Sequence, residues 1–184
     1  IGSYAFSGCT SLTSVIIPDS VKDIYSYAFN ECTSLTSLDL PDSVTSIGND
    51  AFSGCSSLTN FTIPDSVTYI GEYAFLNCTS LTNMVIPDSV TSIRRWAFGG
   101  CSSLTSVVIP GRVKNIDSYA FSNCSSLTNI SIGYGVTTIE NYAFDKCKAL
   151  RDVYFTGTEA EWNEISIGSY SGLNGVTLHY NSQN

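Results

Sequence analysis

Residues 47–69 read IGNDAFSGCSSLTNFTIPDSVTY, and the rest of the chain repeats this segment. Within it, the motif Ala-Phe-x-x-Cys-x-x-Leu begins at Ala51. The phenylalanine of the motif recurs every 23 residues, at Phe6, Phe29, Phe52, Phe75, Phe98, Phe121 and Phe144. The cysteine keeps the same step without an insertion, at Cys9, Cys32, Cys55, Cys78, Cys101, Cys124 and Cys147. A fixed period of about 20 to 50 residues predicts a repeat protein in which every unit packs on its neighbours.

Each repeat contains a short segment in which apolar residues alternate with variable ones. The first apolar position is held by Val15, Leu38, Phe61, Met84, Val107, Ile130 and Val153. The second, two residues later, is held by Ile17, Leu40, Ile63, Ile86, Ile109, Ile132 and Phe155. Alternation with period two is typical of a half-buried β-strand. Every repeat therefore predicts one short strand with one face in the core.

A turn and then a helical segment are predicted after each strand. Pro-Asp-Ser, as at 64–66, ends the strand because proline has no amide donor for the ladder. Further on, Ala-Phe-x-x-Cys places apolar residues at i, i+1 and i+4, which suits one helical or 3₁₀ turn. These elements predict an α/β repeat solenoid. We expect a right-handed leucine-rich repeat array, with short parallel β-strands on one face and short helical or 3₁₀ turns and loops on the other.

We divide this single domain into seven coils of 23 residues over 1–161 and a degenerate eighth coil over 162–184, a coil being one turn of the solenoid. Continuing the same step predicts Trp162 under Ile139, Ile167 under Phe144, Tyr170 under Cys147 and Leu173 under Leu150. The bulky residues of this last coil favour a C-terminal cap, since a solenoid must cover its open ends.

Both ends of the chain carry further signals. Thr158-x-x-Glu161 has the pattern of a capping box, which predicts a short helix through Trp162 and Ile165. Ile1 already occupies an apolar position of the repeat, so the pattern starts within a unit. We therefore expect the N-terminal cap to lie upstream of residue 1.

The composition disfavours several classes of partner. Charged residues make up only 13% of the chain, and the formal net charge is −8. A negative surface opposes binding to nucleic acid or to an anionic membrane. No apolar run is long enough to span a bilayer. We predict no nucleic-acid binding and no membrane insertion, and we expect a monomer.

Three interpretations of the cysteine row are open. All seven thiols share one inward phase, which favours small buried core residues. Disulfides between adjacent coils are within bridging distance, although seven is an odd number and pairing would impose alternation on a uniform stack. A metal site is the third alternative, but no Cys-x-x-Cys motif or Cys/His cluster is present.

Two other polar features carry candidate chemistry. A row of carboxylates is formed by Asp19, Asp42, Asp65 and Asp88. We expect each aspartate to cap its own turn, with a weak Ca²⁺ site as the alternative. His179 is the only histidine, and the 23-residue step gives it the position held elsewhere by proline. Since no nucleophile or carboxylate is marked as its partner, we interpret it as a surface residue of the cap.

An aromatic row is a first candidate contact surface. One position of the repeat is held by Tyr4, Tyr27, Tyr73, Trp96, Tyr119 and Tyr142, with Asp50 as the exception. Half-buried packing at a corner of the coil explains such a row. An accessible stripe that stacks on glycan or protein is the alternative.

The outward positions of the predicted sheet are a second candidate surface. They vary from repeat to repeat while the inward positions stay apolar, and solenoids use such sheets as extended binding surfaces. The candidate ligand-binding residues are Asp39, Asn60, Thr62, Asn83, Val85, Val108, Ser131 and Tyr154. A solvated sheet without a ligand is an equally simple interpretation.

The unit from Ile63 to Thr82 resembles the BspA-like, or Treponema-type, leucine-rich repeat, and the segment 156–181 is similar to the end of such arrays. Gly111-Arg112, Gly133 and Tyr134-Gly135 depart from the family's Pro-Asp-Ser pattern. The resemblance implies a secreted or surface-exposed protein of a host-associated microbe that adheres to host matrix or to other cells. It provides no catalytic residues.

Taken with the residues themselves, the resemblance favours a non-catalytic recognition or adhesion module that binds a protein or glycan through the sheet face. The alternative is a structural spacer of a larger surface protein without a ligand of its own. We predict no enzyme activity, no catalytic residues, no metal and no cofactor.

Overall fold

The computed structural model describes residues 1–182, without the side chain of Asn60. The chain forms a parallel-strand β-solenoid of about 7 turns. Each coil contributes strands to two separate ladders, and both ladders run along the solenoid axis.

The first ladder contains the strands predicted from the alternating pattern. Its members are β2 (Ser37–Asp39), β4 (Asn60–Thr62), β6 (Asn83–Val85), β8 (Ser106–Ile109), β10 (Asn129–Ile132), β12 (Asp152–Phe155) and β14 (Thr177–His179). Their burial alternates as predicted, since residues such as Met84 and Val107 point inward while Val85 and Val108 are exposed.

The second ladder was not predicted from the sequence. It consists of the two-residue strands β1 (Asp23–Ile24), β3 (Ser46–Ile47), β5 (Tyr69–Ile70), β7 (Ser92–Ile93), β9 (Asn115–Ile116), β11 (Thr138–Ile139) and β13 (Ser166–Ile167). The isoleucines of β1, β3, β5, β7, β9 and β11 are buried. Each of these strands follows the Pro turn and carries the chain into the next group of core residues.

Strand pairs in the repeat region keep the 23-residue offset found in the sequence. Val85 faces Val108, and Val108 faces Ser131, so identical positions of successive coils lie side by side. Both ladders are interrupted at one junction, because β4 does not pair with β6 and β5 does not pair with β7. At this junction the Arg94 guanidinium lies 4.9 Å from the centre of the Tyr69 ring.

The predicted helical or 3₁₀ turns do not form. In the coil of residues 47–69, the amide of Cys55 does donate to the oxygen of Phe52 three residues earlier (3.1 Å). However, Asp50 and Gly54 adopt left-handed φ values of 54° and 76°, which interrupt the run of right-handed residues that a helix requires. The amides between them donate instead to the next coil, as Phe52 does to Ala74 (2.8 Å). This face is a stack of turns.

The core is a set of parallel side-chain rows, as the constant period predicts. Phe29, Phe52 and Phe75 are fully buried, and their rings stack nearly parallel at 5.4 Å between centroids. Buried alanine, cysteine and leucine rows lie beside them. Because each coil covers the apolar edge of its neighbour, the rows form one continuous core.

The helix at the end of the repeats confirms the capping box. Helix α1 spans Glu159–Asn163, Thr158 accepts from the amide of Glu161, and the Glu161 carboxylate accepts from the amide of Thr158 at 2.7 Å. Trp162 is buried and packs edge-on against Phe155, with 5.3 Å between ring centroids.

The predicted register of the last coil is wrong. Ile167 pairs with Ile139, 28 residues earlier, and it is exposed instead of lying under Phe144. Leu178 then pairs with Val153, an offset of 25. Helix α1 lies between β12 and β13 and lengthens the connection, so a constant step cannot continue through it. The helix also crosses the boundary that we placed between residues 161 and 162.

The partners assigned to two other residues of that coil change with the register. Tyr170, which the constant step placed under Cys147, is exposed and stacks on Tyr142 instead. Leu173 is half-buried against the core. Among the described residues, no helix has the length and apolar character needed to cross a bilayer.

Candidate functional site

The outward positions of the first ladder form a continuous row of side chains. Asp39 faces Thr62 across one strand pair. Beyond the junction, Val85, Val108 and Ser131 follow one another in register. Alternation places these side chains on the outer face because their neighbours along each strand enter the core. The row is the surface that the sequence predicted.

The structure divides the candidate residues into two groups. Asp39 and Thr62 lie on the two-stranded sheet of β2 and β4, whereas Val85, Val108, Ser131 and Tyr154 lie on the five-stranded sheet. Asn83 is exposed at the start of β6, and its side-chain amide donates to Thr82 (3.4 Å). Asn60 is in β4, but its side chain lies outside the described part of the structure.

Apolar side chains are exposed at the middle of this face. Val85 is 69% exposed and Val108 is 41% exposed, and they are direct neighbours across β6 and β8. A groove of about 580 Å³ lies beside them, bounded by Pro87, Pro110 and the acidic residues at the ends of the strands. Two branched apolar side chains next to an open groove form a contact patch without an intramolecular partner on its outer side.

The far end of the same row contains the histidine. His179 pairs with Tyr154 across β12 and β14, and the two rings stack at 4.6 Å. Its Nε2 atom lies 2.8 Å from Oδ1 of Asp152. The position predicted for His179, equivalent to proline, is therefore wrong. The insertion at α1 concealed its place on the sheet face, since the constant step ignores that insertion.

The aromatic row forms a second surface at a corner of the coils. Its members adopt left-handed φ values between 56° and 65°, which side chains other than glycine rarely do. Most of the rings stack on one another, including Tyr4 on Tyr27 (4.7 Å) and Trp96 on Tyr119 (4.7 Å). These rings are mostly half-buried, so both predicted roles, corner packing and contact, are compatible with the geometry.

A polar groove of about 450 Å³ lies beside the aromatic row. It is lined by Glu72, Arg95, Asp117, Ser118, Tyr119, Glu140, Asn141 and Tyr142. The amide and hydroxyl of Ser118 donate to Oε2 of Glu140 at 3.0 and 2.6 Å. Burial raises the pKa of Asp117, and the charge of Glu140 raises it further. The groove therefore has an excess of carboxylates over its single arginine.

The predicted turn caps by aspartate are wrong. In the described residues, the carboxylates of Asp19, Asp42, Asp65 and Asp88 accept no hydrogen bond. The serine of each turn makes the contact instead, since Ser43 donates to the oxygen of Val21 and Ser66 to that of Val44, both at 2.6 Å. The turn itself is closed by a bond from the valine amide to the proline oxygen, such as Val67 to Pro64 at 3.0 Å.

The cysteine row consists of free thiols, six of them buried. Cys9 is exposed, which corrects the prediction that all seven point into the core; it lies in the first coil, where no coil packs on its outer side. Burial raises the pKa of Cys101 to about 12. Protonated thiols in an apolar row are poor metal ligands. Among residues 1–182, no group of three or more His, Cys, Asp or Glu side chains is arranged to hold a metal ion.

Comparison with solved structures identifies bacterial leucine-rich repeat proteins. A leucine-rich repeat protein from T. pallidum is 30% identical, with a TM-score of 0.79, and the match covers 90% of this chain and 78% of that one. One from Bacteroides ovatus is 29% identical, with a TM-score of 0.62, over 99% of this chain and 58% of that chain. A leucine rich cell surface protein from Faecalibacterium prausnitzii is 28% identical, with a TM-score of 0.57, over 89% and 65%.

A comparison with family profiles gives the same result as the structures. The BspA type leucine rich repeat region matches in 6 copies, over residues 1–94 and 47–174. No curated protein matches the chain significantly. Since the matched residues cover well over half of the sequence, the chain belongs to the BspA-type leucine-rich repeat family.

Proposed function

We propose that this chain is a non-catalytic recognition module at a microbial cell surface, and that it binds a protein or a glycan through the outer face of the first ladder. The family consists of repeat scaffolds found in bacterial surface proteins, which suggests a role in protein interaction. The specific contact surface is our inference from the geometry of the sheet.

The observation that carries the proposal is the exposed apolar pair Val85 and Val108. Both side chains are held rigidly, because their strands pair in register through the backbone. A ligand that covers them gains hydrophobic free energy of about 25 cal/mol per Å² of apolar surface buried. Little conformational entropy is lost, since valine has one side-chain torsion and the backbone is already fixed.

The two ends of the face provide polar groups around this apolar centre. Asp39 and Thr62 are exposed on one side, and Tyr154 with the His179–Asp152 pair lies on the other. An apolar centre with a polar rim is the usual anatomy of a protein recognition surface. Tyr154 adds an aromatic ring, a side chain enriched at contacts that contribute most to binding.

A triple variant, Val85→Ser with Val108→Ser and Tyr154→Ser, tests the proposal. We expect binding to extracellular-matrix proteins or glycans, measured on arrays, to fall at least about tenfold, since each residue contributes about 1 kcal/mol or more at a contact centre. Tyr25→Ser is the matched control, because Tyr25 is 55% exposed and lies beside the second ladder. Unchanged binding by a folded triple variant would refute a contact at the sheet face.

A structural spacer is the second candidate. It is favoured by the extent of the matches, since the chain spans 58% of the B. ovatus protein and 65% of the F. prausnitzii protein. A repeat array within a longer surface protein separates the domains on either side of it. If the wild-type chain binds no member of a broad matrix and glycan panel, the spacer role is supported over recognition.

A further inference from the structure

The aromatic row contains one gap, at Asp50. Tyr27, Asp50 and Tyr73 occupy the same position in three successive coils and have φ values of 60°, 54° and 59°. Their backbones are therefore equivalent, and the Asp50 side chain leaves the coil where a ring leaves the others. A carboxylate is much smaller than a phenol ring, so the stack of rings is interrupted here.

The backbone on both sides of the gap is fixed by hydrogen bonds. The amide of Tyr27 donates to Asn49 (2.9 Å), and that of Asp50 donates to Glu72 (2.9 Å). The amide of Tyr73 continues the series to Arg95 (3.0 Å). Because each residue is bonded to the following coil, the chain cannot close the gap without breaking this series.

The rings that border the gap have unused faces. Tyr27 stacks on Tyr4 on one side, at 4.7 Å and with an interplanar angle of 3°. In the described part of the chain, neither the other face of Tyr27 nor the ring of Tyr73 stacks on another ring. Two coil steps separate these residues by about 9.6 Å. A planar group midway would lie about 4.8 Å from each ring position, a normal stacking distance.

The charge at the gap is negative. Asp50 is half-buried, and burial raises its pKa, to which the charge of Glu72 in the next coil adds. The charge of Asp50 is in turn the main reason why the pKa of Tyr27 is raised. Within residues 1–182, no lysine or arginine nitrogen lies within 4.0 Å of the Asp50 or Glu72 carboxylate. A bound cation would relieve this repulsion.

We propose that the gap between Tyr27 and Tyr73 binds the guanidinium group of an arginine side chain presented by a partner protein. The guanidinium is planar and stacks on aromatic faces, while its N–H groups can donate to the Asp50 carboxylate. An ammonium group carries the same charge but lacks the plane that fills a gap one ring thick. This surface is a corner of the coils, separate from the face of the first ladder.

The first test is an NMR titration of the protein, with labelled tyrosine rings, by N-acetyl-arginine methylamide. We expect saturable shifts of the Tyr27 and Tyr73 ring signals. The lysine analogue should bind at least about fivefold more weakly, because it loses the stacking contribution. An arginine analogue that produces no saturable shift at these two rings, or a lysine analogue that binds equally well, would overturn the proposal.

Three substitutions make the test specific. Asp50→Asn keeps the shape and removes the charge, so affinity for the arginine analogue should fall about tenfold. Asp50→Tyr fills the gap and should abolish binding; circular dichroism checks that this variant folds, as the tyrosines of neighbouring coils lead us to expect. Asp42→Asn is the control with equal charge change at an exposed site away from the row. Equal binding by Asp50→Tyr and the wild type would show that the gap is not the site.

Discussion

The Sγ atom of Cys78 donates a hydrogen bond to the carbonyl oxygen of Phe52, 3.2 Å away in the preceding coil. The same bond joins Cys55 to Phe29 at 3.2 Å. Each thiol is fully buried, so it fills core volume and also links neighbouring coils. This double role accounts for cysteine at a position where alanine alone would leave space.

We therefore expect Cys78→Ala to lower the free energy of unfolding by about 1–2 kcal/mol, since it removes a buried atom and leaves a small cavity. Urea unfolding followed by circular dichroism measures this change. Cys9→Ala is the control, because Cys9 is exposed, and its effect should stay within about 0.5 kcal/mol. Equal losses in the two variants would argue against a packing role for the buried thiol.

Thiol accessibility should separate the same two classes of cysteine. In the native protein at pH 8, Ellman's reagent should label Cys9 rapidly, because it is exposed. The buried thiols should react only as the protein unfolds, since both burial and a raised pKa reduce the thiolate population. Seven thiols should be counted in denaturant. A lower count under non-reducing conditions would indicate disulfides.

Alkaline pH should destabilise the fold through the cysteine row. Cys101 has a pKa of about 12 in the folded protein, against an ordinary value of 9.0. The unfolded chain therefore loses this proton first, so the stabilisation is present below pH 9 and is lost as pH rises toward 12. Urea midpoints measured at pH 7, 9 and about 10.5 should decline. The decline should be shallower for Cys101→Ala, and an identical slope would exclude this thiol as a contributor.

Acid should have the opposite effect through Asp117. Burial and the charge of Glu140 raise the pKa of Asp117 above its ordinary value of 3.8. The folded protein thus binds this proton more readily, and the contribution is present below pH 3.8 and is lost as pH rises through the folded pKa. Asp117→Asn should stabilise the protein at pH 7, by less than about 1 kcal/mol because the group is partly solvated. Near pH 4 the gain should shrink, and a gain independent of pH would contradict the electrostatic cause.

The capping box should contribute measurably to the C-terminal segment. Thr158→Ala removes the side-chain acceptor for the Glu161 amide and should cost about 1 kcal/mol. Native-state hydrogen exchange can locate the loss, which should be largest at the amides of α1 and β13. Ser169→Ala, at an exposed residue after β13, is the control. A uniform loss over the whole solenoid would show that the helix is not a local closure.

Much of the fold could be predicted because the repeat is uninterrupted. Phe52 and Leu58 recur at a fixed step, and side chains at a fixed step superpose when coils are of equal length. The inward row, the first ladder and the exposed positions Val85 and Val108 follow from the same periodicity. The second ladder was missed, since two-residue strands are too short to show an alternating pattern.

The sequence by itself determined which side chains form the core, because the 23-residue period and the alternation of apolar residues leave only one way to bury them. Only the tertiary structure decided the conformation of the turns, since the left-handed φ of Asp50 and its equivalents depends on hydrogen bonds to the next coil. It also placed His179 beside Tyr154, because strand register after α1 is set by packing and not by counting residues.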